Sequence, residues 1–511
     1  MGQTVAPDTL NPKIMGSWPL IFSSNSKTAD AVRRAVLKGE IVKIGPHLYS
    51  SDVNSAKANP GAVIRRNLLL VLEALVPGGV ISDRSAATPG FLVKDTVFMV
   101  SKRGEKFLEL PGLKIQVRQG KGAIEGDTKF GSTNLYLASH ARTLLENQIP
   151  SRKRGLVSSR LSANEQEEYL ERLLRTQGSK SVERIADNLP SITKDLDLGI
   201  YGEQALKLAR SFLGTVQISP QSKVLKARQH GSPYDPERLN LFSNFAQDLL
   251  QHEHQVRRAR PEAALQELPF FESYFSNFIE GTEFVIDEAR NIVADGTIPQ
   301  TRSNDAHDIL STYELVSDWK NMRRVPKSPD DFEGILRERH ARLMAYRPEM
   351  RPGMFKESAN RVGLRQFVDP SLVQGTLRQA YRIGDILLDT WSRAVYLGFV
   401  VVEVHPFDDG NGRLSRIMIN SELTSGNEER LIIPTVFRDN YLSSLRALSS
   451  GNGSTAFLRS LEYAQLYTSR VSWRNYETAR KTLERTNAFL TDKEAEETGV
   501  RLALPQEGIG I

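Results

Sequence analysis

Twelve consecutive residues, 405–416, carry the side chains that chemistry on a phosphate group requires. The stretch HPFDDGNGRLSR holds a histidine, two aspartates, an asparagine, two glycines and two arginines. Gly410, Asn411 and Gly412 allow a tight turn with positive φ, after which a new helix is expected to begin near Arg413. Backbone N–H groups at such a helix N-terminus converge on one point and, together with the helix dipole, favour an anion. The pattern predicts a phosphate-binding turn.

The charged side chains around this turn suit the transfer of a phosphorus-containing group. Arg413 and Arg416 are three residues apart, so both can lie on one helix face and hold successive phosphates. Asp409 can ligate a Mg²⁺ ion that bridges phosphate oxygens. His405 can take the proton of a hydroxyl that attacks phosphorus, because the ordinary pKa of histidine is about 6.5. The predicted reaction is therefore transfer of such a group to a hydroxyl.

Helices are expected to position these residues. The apolar stretch RAVYLGFVVVEV predicts a buried helix that ends at His405, because Pro406 disfavours helical geometry at the residue before it. Apolar residues recur at three- and four-residue spacing through most of the chain after residue 240, which predicts an α-helical bundle. Residues 347–370 are the exception, because their Pro and Gly residues and short alternating runs indicate a β-hairpin or extended flap. His252 and His254 are two apart on a predicted helix and are expected to diverge into solvent.

Length and composition indicate a multi-domain, soluble protein. A chain of 511 residues exceeds the size of one growing core, so two or three domains are expected. No stretch reaches the ~18 to 20 apolar residues of a membrane span, and the first residues lack the pattern of a secretory signal. The chain has no cysteine, which excludes disulfides and thiol nucleophiles and favours a reducing, cytoplasmic setting.

The two halves of the chain differ in charge. Residues 1–230 hold 33 Lys and Arg against 21 Asp and Glu, whereas the rest is mildly acidic. A basic first half suggests contact with a polyanion, although a basic surface that serves only solubility remains an equal alternative. The main domain boundary is predicted within a linker at residues 219–239, where Pro, Ser and Gly interrupt the periodic segments.

The basic half begins with a predicted helix that ends at Gly39, followed by two short strands around a Gly45-Pro46 turn. Strand-like runs, DTVFMV and LKIQVRQG, follow further on. The order, and LKGEIVKIGPHLYSS in particular, resembles AbiEi-type antitoxin regulators. That resemblance implies a winged helix at 1–85 and an α+β segment at 86–218. Basic residues that could contact DNA phosphates are Arg33, Arg34, Lys38 and Lys43.

The motif at 405–416 is similar to the complete signature of the Fic family, H-x-F-x-[DE]-G-N-G-R-x-x-R. The resemblance implies a mainly helical Fic domain, placed at 240–511, that transfers AMP from ATP to a Ser, Thr or Tyr hydroxyl of a target protein or of itself. The implied roles are His405 as general base, Phe407 as buried anchor, Asp409 for Mg²⁺, and Gly410, Asn411, Gly412, Arg413 and Arg416 for the nucleotide phosphates. ERHARLMA and PGMFKESANRVG also look like Fic segments. They imply a target-docking flap that includes Met354, Phe355 and Lys356.

A second pattern, SNFIEG at 276–281, lies in a predicted helix near 268–293. Ser276 and Glu280 are four residues apart and should face the same way, while Gly281 inside a helix costs ~1 kcal/mol and calls for a close approach. The pattern is similar to the inhibitory motif [ST]-x-x-x-E-[GN] of Fic proteins. This resemblance implies that Glu280 pairs with Arg416 and blocks the γ-phosphate pocket. The same glutamate could instead position water for AMP removal.

Two alternatives stay open at this point. The chain could be a DNA-binding, antitoxin-like regulator whose Fic domain senses nucleotide, or an enzyme that uses another pyrophosphate-containing donor. The sequence leaves the target protein, the modified side chain and the formation of a homodimer undecided.

Overall fold

The computed structural model describes residues 20–22, 26–46, 48–131, 133–150, 157–296, 298–363 and 365–506. The chain divides into two compact units, Met1–Gln229 and His230–Ile511, and each is described by itself. Within the described ranges, no helix is long and apolar enough to cross a membrane. The first 19 residues, in which the sequence predicts no secretory signal, lie outside the described part.

The first unit opens with a helix and a small antiparallel sheet. These elements are β1 (Leu20–Phe22), α1 (Ser26–Leu37), β2 (Val42–Gly45) and β3 (Leu48–Ser50), with strand order β1-β3-β2. Val32 and Ala35 on α1 pack with Ile41 and the half-buried Tyr49. The helix and the two strands after it therefore share one small apolar cluster.

A six-stranded mixed sheet follows. Its preceding and flanking helices are α2 (Val53–Ala58), α3 (Pro60–Arg66), α4 (Leu68–Leu75) and α5 (Asp83–Ala87). Its strands are β4 (Val80–Ile81), β5 (Thr96–Ser101), β6 (Lys106–Leu110), β7 (Leu113–Gln119), β8 (Thr128–Lys129) and β9 (Tyr136–Leu137). The order is β6-β7-β5-β4-β9-β8, with β5 and β7 parallel and β4 and β9 parallel. Apolar side chains of β5 and β7 pack against α3 and α4.

The remainder of the first unit is helical. It consists of α6 (His140–Asn147), α7 (Ala163–Gln177), α8 (Ser179–Leu196), α9 (Gly199–Phe212) and α10 (Lys223–Gln229), which share one apolar cluster. The predicted linker at 219–239 is therefore not free chain throughout, because α10 forms inside it and buries Leu225 in this cluster. The Pro, Ser and Gly residues lie next to helix boundaries there, so the composition predicted a longer linker than the structure has.

The second unit is helical except for one short hairpin. Its helices are α11 (Pro236–Gln251), α12 (Leu268–Ile279), α13 (Ile286–Asp295), α14 (Ser303–Ser317), α15 (Trp319–Met322), α16 (Pro329–Leu343), α17 (Val373–Gly384), α18 (Thr390–Val404), α19 (Asn411–Ser425), α20 (Arg438–Ser449), α21 (Thr455–Arg470), α22 (Tyr476–Arg485) and α23 (Asp492–Thr498). The hairpin is β10 (Arg361–Val362) with β11 (Arg365–Gln366), paired antiparallel. Helices α18 and α19 lie in the largest apolar core, and the motif loop joins them.

Helix α12 belongs to a second core. Phe270, Phe271, Tyr274 and Phe275 pack with aromatic residues after α21, among them Trp473. The sequence predicted one inhibitory helix near 268–293, but the structure has two helices that break between Ile279 and Ile286. Because α12 is built into a core, it is a fixed part of this unit.

The prediction that the side chains of His252 and His254 diverge into solvent is wrong. Helix α11 ends at Gln251, and both imidazoles stack on the buried Trp391, with ring centroids 5.3 and 4.3 Å away. The helical spacing argument fails because these residues lie beyond the end of the helix.

Candidate active site

The motif loop is held by hydrogen bonds between its own two ends. Helix α18 ends at Val404, and His405 takes a left-handed conformation with φ 53°. Phe407 is fully buried, and its backbone N–H donates to Asn411 Oδ1 at 3.0 Å while its carbonyl accepts from Asn411 Nδ2 at 2.9 Å. The phenyl ring and the asparagine amide together fix the loop between α18 and α19.

The imidazole of His405 is oriented and neutral. Its Nδ1 lies 3.3 Å from the Val402 carbonyl, which can only accept, so Nδ1 carries the proton and Nε2 the lone pair. Phe367 stacks on the ring, with centroids 3.8 Å apart and planes at 11°. The pKa of His405 is lowered to about 4, chiefly by burial and also by the nearby Lys356, while the Val402 hydrogen bond, Glu280 and Asp409 oppose this shift. The ring can therefore accept a proton at neutral pH.

The turn before α19 differs from the prediction. Only Gly410 has a positive φ, at 76°, and α19 already begins at Asn411 instead of near Arg413. Gly412 is helical, and the Glu280 carboxylate occupies the space that a Cβ at this position would take. Of the three residues Gly410 to Gly412, Gly410 alone thus has the predicted turn conformation, and α19 begins two residues earlier than expected.

Asp409 lies beside this N-terminus and is partly exposed. Its Oδ1 accepts the backbone N–H of Gly410 at 2.7 Å, and its Oδ2 lies 3.7 Å from both Arg347 Nη1 and Arg413 Nη2. In the part of the chain that the structure describes, no three acidic or histidine side chains are grouped to hold a metal ion. One accessible carboxylate suits Mg²⁺, which is commonly bound by one or two carboxylates and substrate phosphates.

Arg413 is buried and held by α12 and α14. Its Nη1 lies 2.8 Å from Asp308 Oδ2 and 3.4 Å from Asn277 Oδ1. The same Asp308 oxygen pairs with Arg347 Nη2 at 2.5 Å. Burial raises the pKa of the Asp308 carboxyl, and the two guanidinium groups oppose that rise. One carboxylate on α14 therefore fixes two arginines next to Asp409.

Arg416 is held by the end of α12. Its Nε donates to Ser276 Oγ at 2.9 Å, and its Nη2 donates to the Ser276 carbonyl at 2.8 Å and to Glu280 Oε1 at 2.6 Å. Ser276 and Glu280 thus face the same way, on one guanidinium. The Glu280 carboxylate also lies against Gly412, at the N-terminus of α19, where an anion is favoured.

Gly281 has a different role from the predicted one. It lies beyond the end of α12 with φ 94°, and a Cβ there would meet nothing within 4 Å. Its N–H donates to the Phe278 carbonyl, and that of Thr282 donates to the Asn277 carbonyl. Glycine is therefore required by the left-handed turn that ends the helix, and not by a close approach.

The three predicted docking residues do not share one environment. Met354 is about half exposed, Phe355 is partly buried against Phe407, and Lys356 is 2% exposed. Lys356 is thus not available to a docking partner, because its amine points inward to Asn360 Oδ1 at 2.6 Å. The hairpin of this stretch lies further along, at 361–366, where Val362 is exposed.

His340 supports the loop from α16. Its ring stacks on Phe407 with centroids 3.8 Å apart, its Nδ1 accepts from the Gly353 N–H, and its Nε2 donates to the Asp409 carbonyl. Burial lowers the pKa of His340 to about 4. The neutral ring joins the start of the flap stretch to the motif loop.

Several contributing residues lie outside the motif. Asn277 lies within SNFIEG, and Arg347 and Phe367 lie within the predicted flap stretch, but the sequence assigned no site role to these three residues or to Asp308. The basic residues Arg33, Arg34, Lys38 and Lys43 belong to the first unit, where all four are exposed.

Comparison with known proteins finds a family match within the helical unit. The Fic/DOC family model matches residues 332–423. Two curated relatives named protein adenylyltransferase Fic, from Drosophila persimilis and Drosophila melanogaster, are 28% and 27% identical over 201 residues. That is 39% of this chain and 38% and 40% of theirs, so the chain spans about two fifths of their length. A solved Caenorhabditis elegans Fic-1 fragment aligns over 60% of this chain and 90% of its own, with 17% identity and a TM-score of 0.34. Residues 332–423 of this chain are therefore similar to the Fic/DOC family.

Proposed function

We propose that this domain is a protein adenylyltransferase, which transfers AMP from ATP to a Ser, Thr or Tyr hydroxyl of a target protein or of the chain itself. The observation that carries the proposal is the position of His405. Its unprotonated Nε2 lies at the loop that leads into the N-terminus of α19, and Arg413 and Arg416 lie in the first two turns of that helix. The names of the relatives support the choice of ATP as donor.

In the proposed step, a hydroxyl oxygen forms a bond to the α-phosphorus of ATP. The bond between that phosphorus and the oxygen bridging to the β-phosphate breaks, and pyrophosphate leaves. His405 Nε2 takes the hydroxyl proton, which is typically worth ~10²- to 10⁴-fold in rate. The products are the adenylylated hydroxyl, pyrophosphate and one proton.

The residues of α19 hold the negative charge of the nucleotide. Asn411 and Gly412 present backbone N–H groups to the α-phosphate, with Gly410 shaping the turn, and Arg413 and Arg416 bind the β- and γ-phosphates. Asp409 would hold Mg²⁺, which supplies positive charge to the pyrophosphate as it leaves. Gly412 leaves the approach open because it has no side chain.

Glu280 is proposed as a brake on this reaction. Its carboxylate pairs with the Nη2 of Arg416 and occupies the space over Gly412. A bound phosphate would use both. ATP that binds while Glu280 is in place cannot seat its γ-phosphate on Arg416. The same carboxylate could instead orient water for AMP removal, and release of AMP from a labelled protein by the wild type but not by Glu280→Gly would identify that role.

The hairpin at 361–366 is proposed to dock the target segment. Arg365 and Arg238 both pair with the buried Glu403, two residues before His405, which ties the hairpin to the base. Strand addition to this edge would use backbone hydrogen bonds and place a target hydroxyl near His405.

Label transfer from α-labelled ATP with Mg²⁺ tests the proposal. The wild type, Glu280→Gly and Glu280→Gly/His405→Ala are each incubated alone and with a cell extract. Label on protein should rise with the first change and vanish with the second. Absence of label from all three, despite ATP binding, would remove adenylyl transfer and leave another donor or a nucleotide sensor.

A second function, DNA binding by the first unit, rests on exposed charge. Arg33, Arg34 and Lys38 project from or just after α1, and Lys43 projects from β2, in the helix-and-hairpin arrangement proposed as a winged helix. Neutralising phosphates should make binding weaken steeply with salt. Full-length protein that shows no salt-dependent binding to duplex DNA, or binding unchanged by Arg33→Ala/Arg34→Ala, would remove this function.

A further inference from the structure

Two residues of the flap stretch hold the backbone on both sides of His405. The backbone N–H of Lys356 donates to the Pro406 carbonyl at 2.9 Å, and its Nζ lies 3.4 Å from the Val404 carbonyl. Asn360 Nδ2 donates to the Phe407 carbonyl at 3.0 Å. Lys356 Nζ also donates to Asn360 Oδ1, so the two residues, with the Lys356 backbone N–H, act as a unit, which we call the loop clamp.

The loop clamp acts where the backbone is strained. His405 has φ 53°, a conformation that a residue with a side chain seldom adopts and that costs of order 1 to 3 kcal/mol unless its surroundings impose it. The carbonyls of Val404, Pro406 and Phe407 flank this residue, and all three accept from the clamp. The clamp therefore contacts the backbone on both sides of the strained residue.

The clamp also reaches the imidazole through Phe367. The Asn360 carbonyl accepts the backbone N–H of Phe367 at 3.2 Å, and the Phe367 ring stacks on His405. The Lys356 ammonium lies 5.9 Å from the centre of that same ring. One buried cation thus lies near the ring that stacks on the base.

Burying a lysine without a direct carboxylate partner is costly, which argues for a specific use. Lys356 is 2% exposed, and its Nζ is bonded to one amide oxygen and one carbonyl. Burial lowers the pKa of Lys356 to about 7, Asp369 and Asp408 oppose this, and Arg238 adds to it. Below that pH the ammonium is charged, and it lowers the pKa of His405 against the opposing Glu280 and Asp409.

We propose that Lys356 and Asn360 are positioning residues for the His405 base, which hold its backbone left-handed and place a buried cation that opposes protonation of its imidazole. This rests on the proposed function for its effect on turnover. The effect on the imidazole itself requires no turnover, so the two can fail separately.

Titration of His405 by NMR tests the proposal directly. All variants carry Glu280→Gly so that the brake does not mask them, and the His405 signal is assigned by its loss in His405→Ala. Lys356→Met should raise the pKa of His405 by roughly half a unit or more, because the cation is removed. Lys356→Arg should leave that pKa near its starting value, and Lys481→Met, an exposed lysine on α22, should have no effect.

Turnover gives the second readout. Lys356→Met should lower kcat about 10- to 100-fold with little change in KM for ATP, and Lys356→Arg should recover most of the loss. Asn360→Ala, which keeps Lys356, should lower kcat in the same way and serves if Lys356→Met does not fold. An unchanged His405 pKa in Lys356→Met, or a loss of kcat that only follows the fraction of unfolded protein, would overturn the proposal. If no variant shows adenylyl transfer while the His405 pKa still shifts, the proposed function fails and the positioning role stands.

Discussion

Glu280 and Arg416 are joined at 2.6 Å, and this contact lies at the end of a row of polar contacts between the α12 segment and α19. Ser276 Oγ accepts from Arg416 Nε at 2.9 Å, and Glu272 Oε1 accepts from Asn420 Nδ2 at 2.8 Å. Glu272 and Ser276 are four residues apart on α12, and their partners Asn420 and Arg416 are four residues apart on α19 in the reverse order. The two helices therefore run antiparallel in fixed register. The proposed brake is the exposed end of a polar row whose other end is buried.

Removing Glu280 should activate the domain without unfolding it. Glu280→Gly should raise the rate of adenylyl transfer by roughly 5- to 150-fold, the range of an ordinary coupling free energy. The free energy of unfolding should change by no more than ~1 kcal/mol, because the ion pair is partly exposed. Denaturant titration and label transfer check both values. Glu283→Gln, an exposed neighbour, is the control, and a similar activation by it would contradict the assignment.

Removing Glu272, in contrast, should destabilise the domain. Its carboxylate is buried and pairs with Arg430 Nη1 at 3.0 Å, so Glu272→Ala leaves a buried guanidinium without that partner. A loss of about 3 kcal/mol or more in the free energy of unfolding is expected. A loss below ~1 kcal/mol would mean that α12 is easily detached, and that the brake could be released by movement of the whole helix.

Gly281 should be sensitive to substitution because of its backbone conformation. Gly281→Ala is expected to lower the free energy of unfolding by about 1 kcal/mol, since an L-residue at φ 94° is strained. Gly334→Ala on α16 is the matched control: it is exposed and helical with free space around it, so stability should rise by up to ~1 kcal/mol. Equal effects at both positions would remove the conformational explanation.

Asp308 should matter for nucleotide use although it lies outside the motif. Asp308→Asn removes the charge that fixes Arg413 and Arg347, and kcat/KM for ATP is expected to fall about 10-fold or more. Asp305→Asn, on the same helix but paired with Arg302 at the surface, should leave kcat/KM unchanged. Both are measured in the Glu280→Gly background, and equal kcat/KM values would contradict this role.

The free energy of unfolding should decrease at low pH because His340 is buried in its neutral form. Its pKa is lowered to about 4 in the folded protein, against about 6.5 unfolded, so its contribution is complete above pH 6.5 and declines as the pH falls towards 4. The loss attributable to His340 is about 3 kcal/mol at most. Denaturant titrations between pH 7 and 4 should show a shallower decline in His340→Gln. Identical slopes in the two proteins would contradict the neutral assignment.

The sequence predicted part of the local structure around the site and missed the rest. The helical second unit, the end of α18 next to Pro406, and the shared facing of Ser276 and Glu280 followed from local rules. The start of α19, the role of Gly281 and the burial of Lys356 did not, because each depends on a partner distant in the chain or on a turn conformation. The roles of Asp308, Asn277 and Phe367 could not be predicted, since only folding brings α14, α12 and the flap stretch to the motif loop.

Intact-protein mass spectrometry tests the central claim most directly. Glu280→Gly protein is incubated with ATP and Mg²⁺, and pyrophosphate release is followed in the same sample, beside the Glu280→Gly/His405→Ala variant. A mass gain of one adenylyl group with matching pyrophosphate, both absent from the double variant, is the predicted result. A modification of any other mass, or the same gain without His405, would contradict the account.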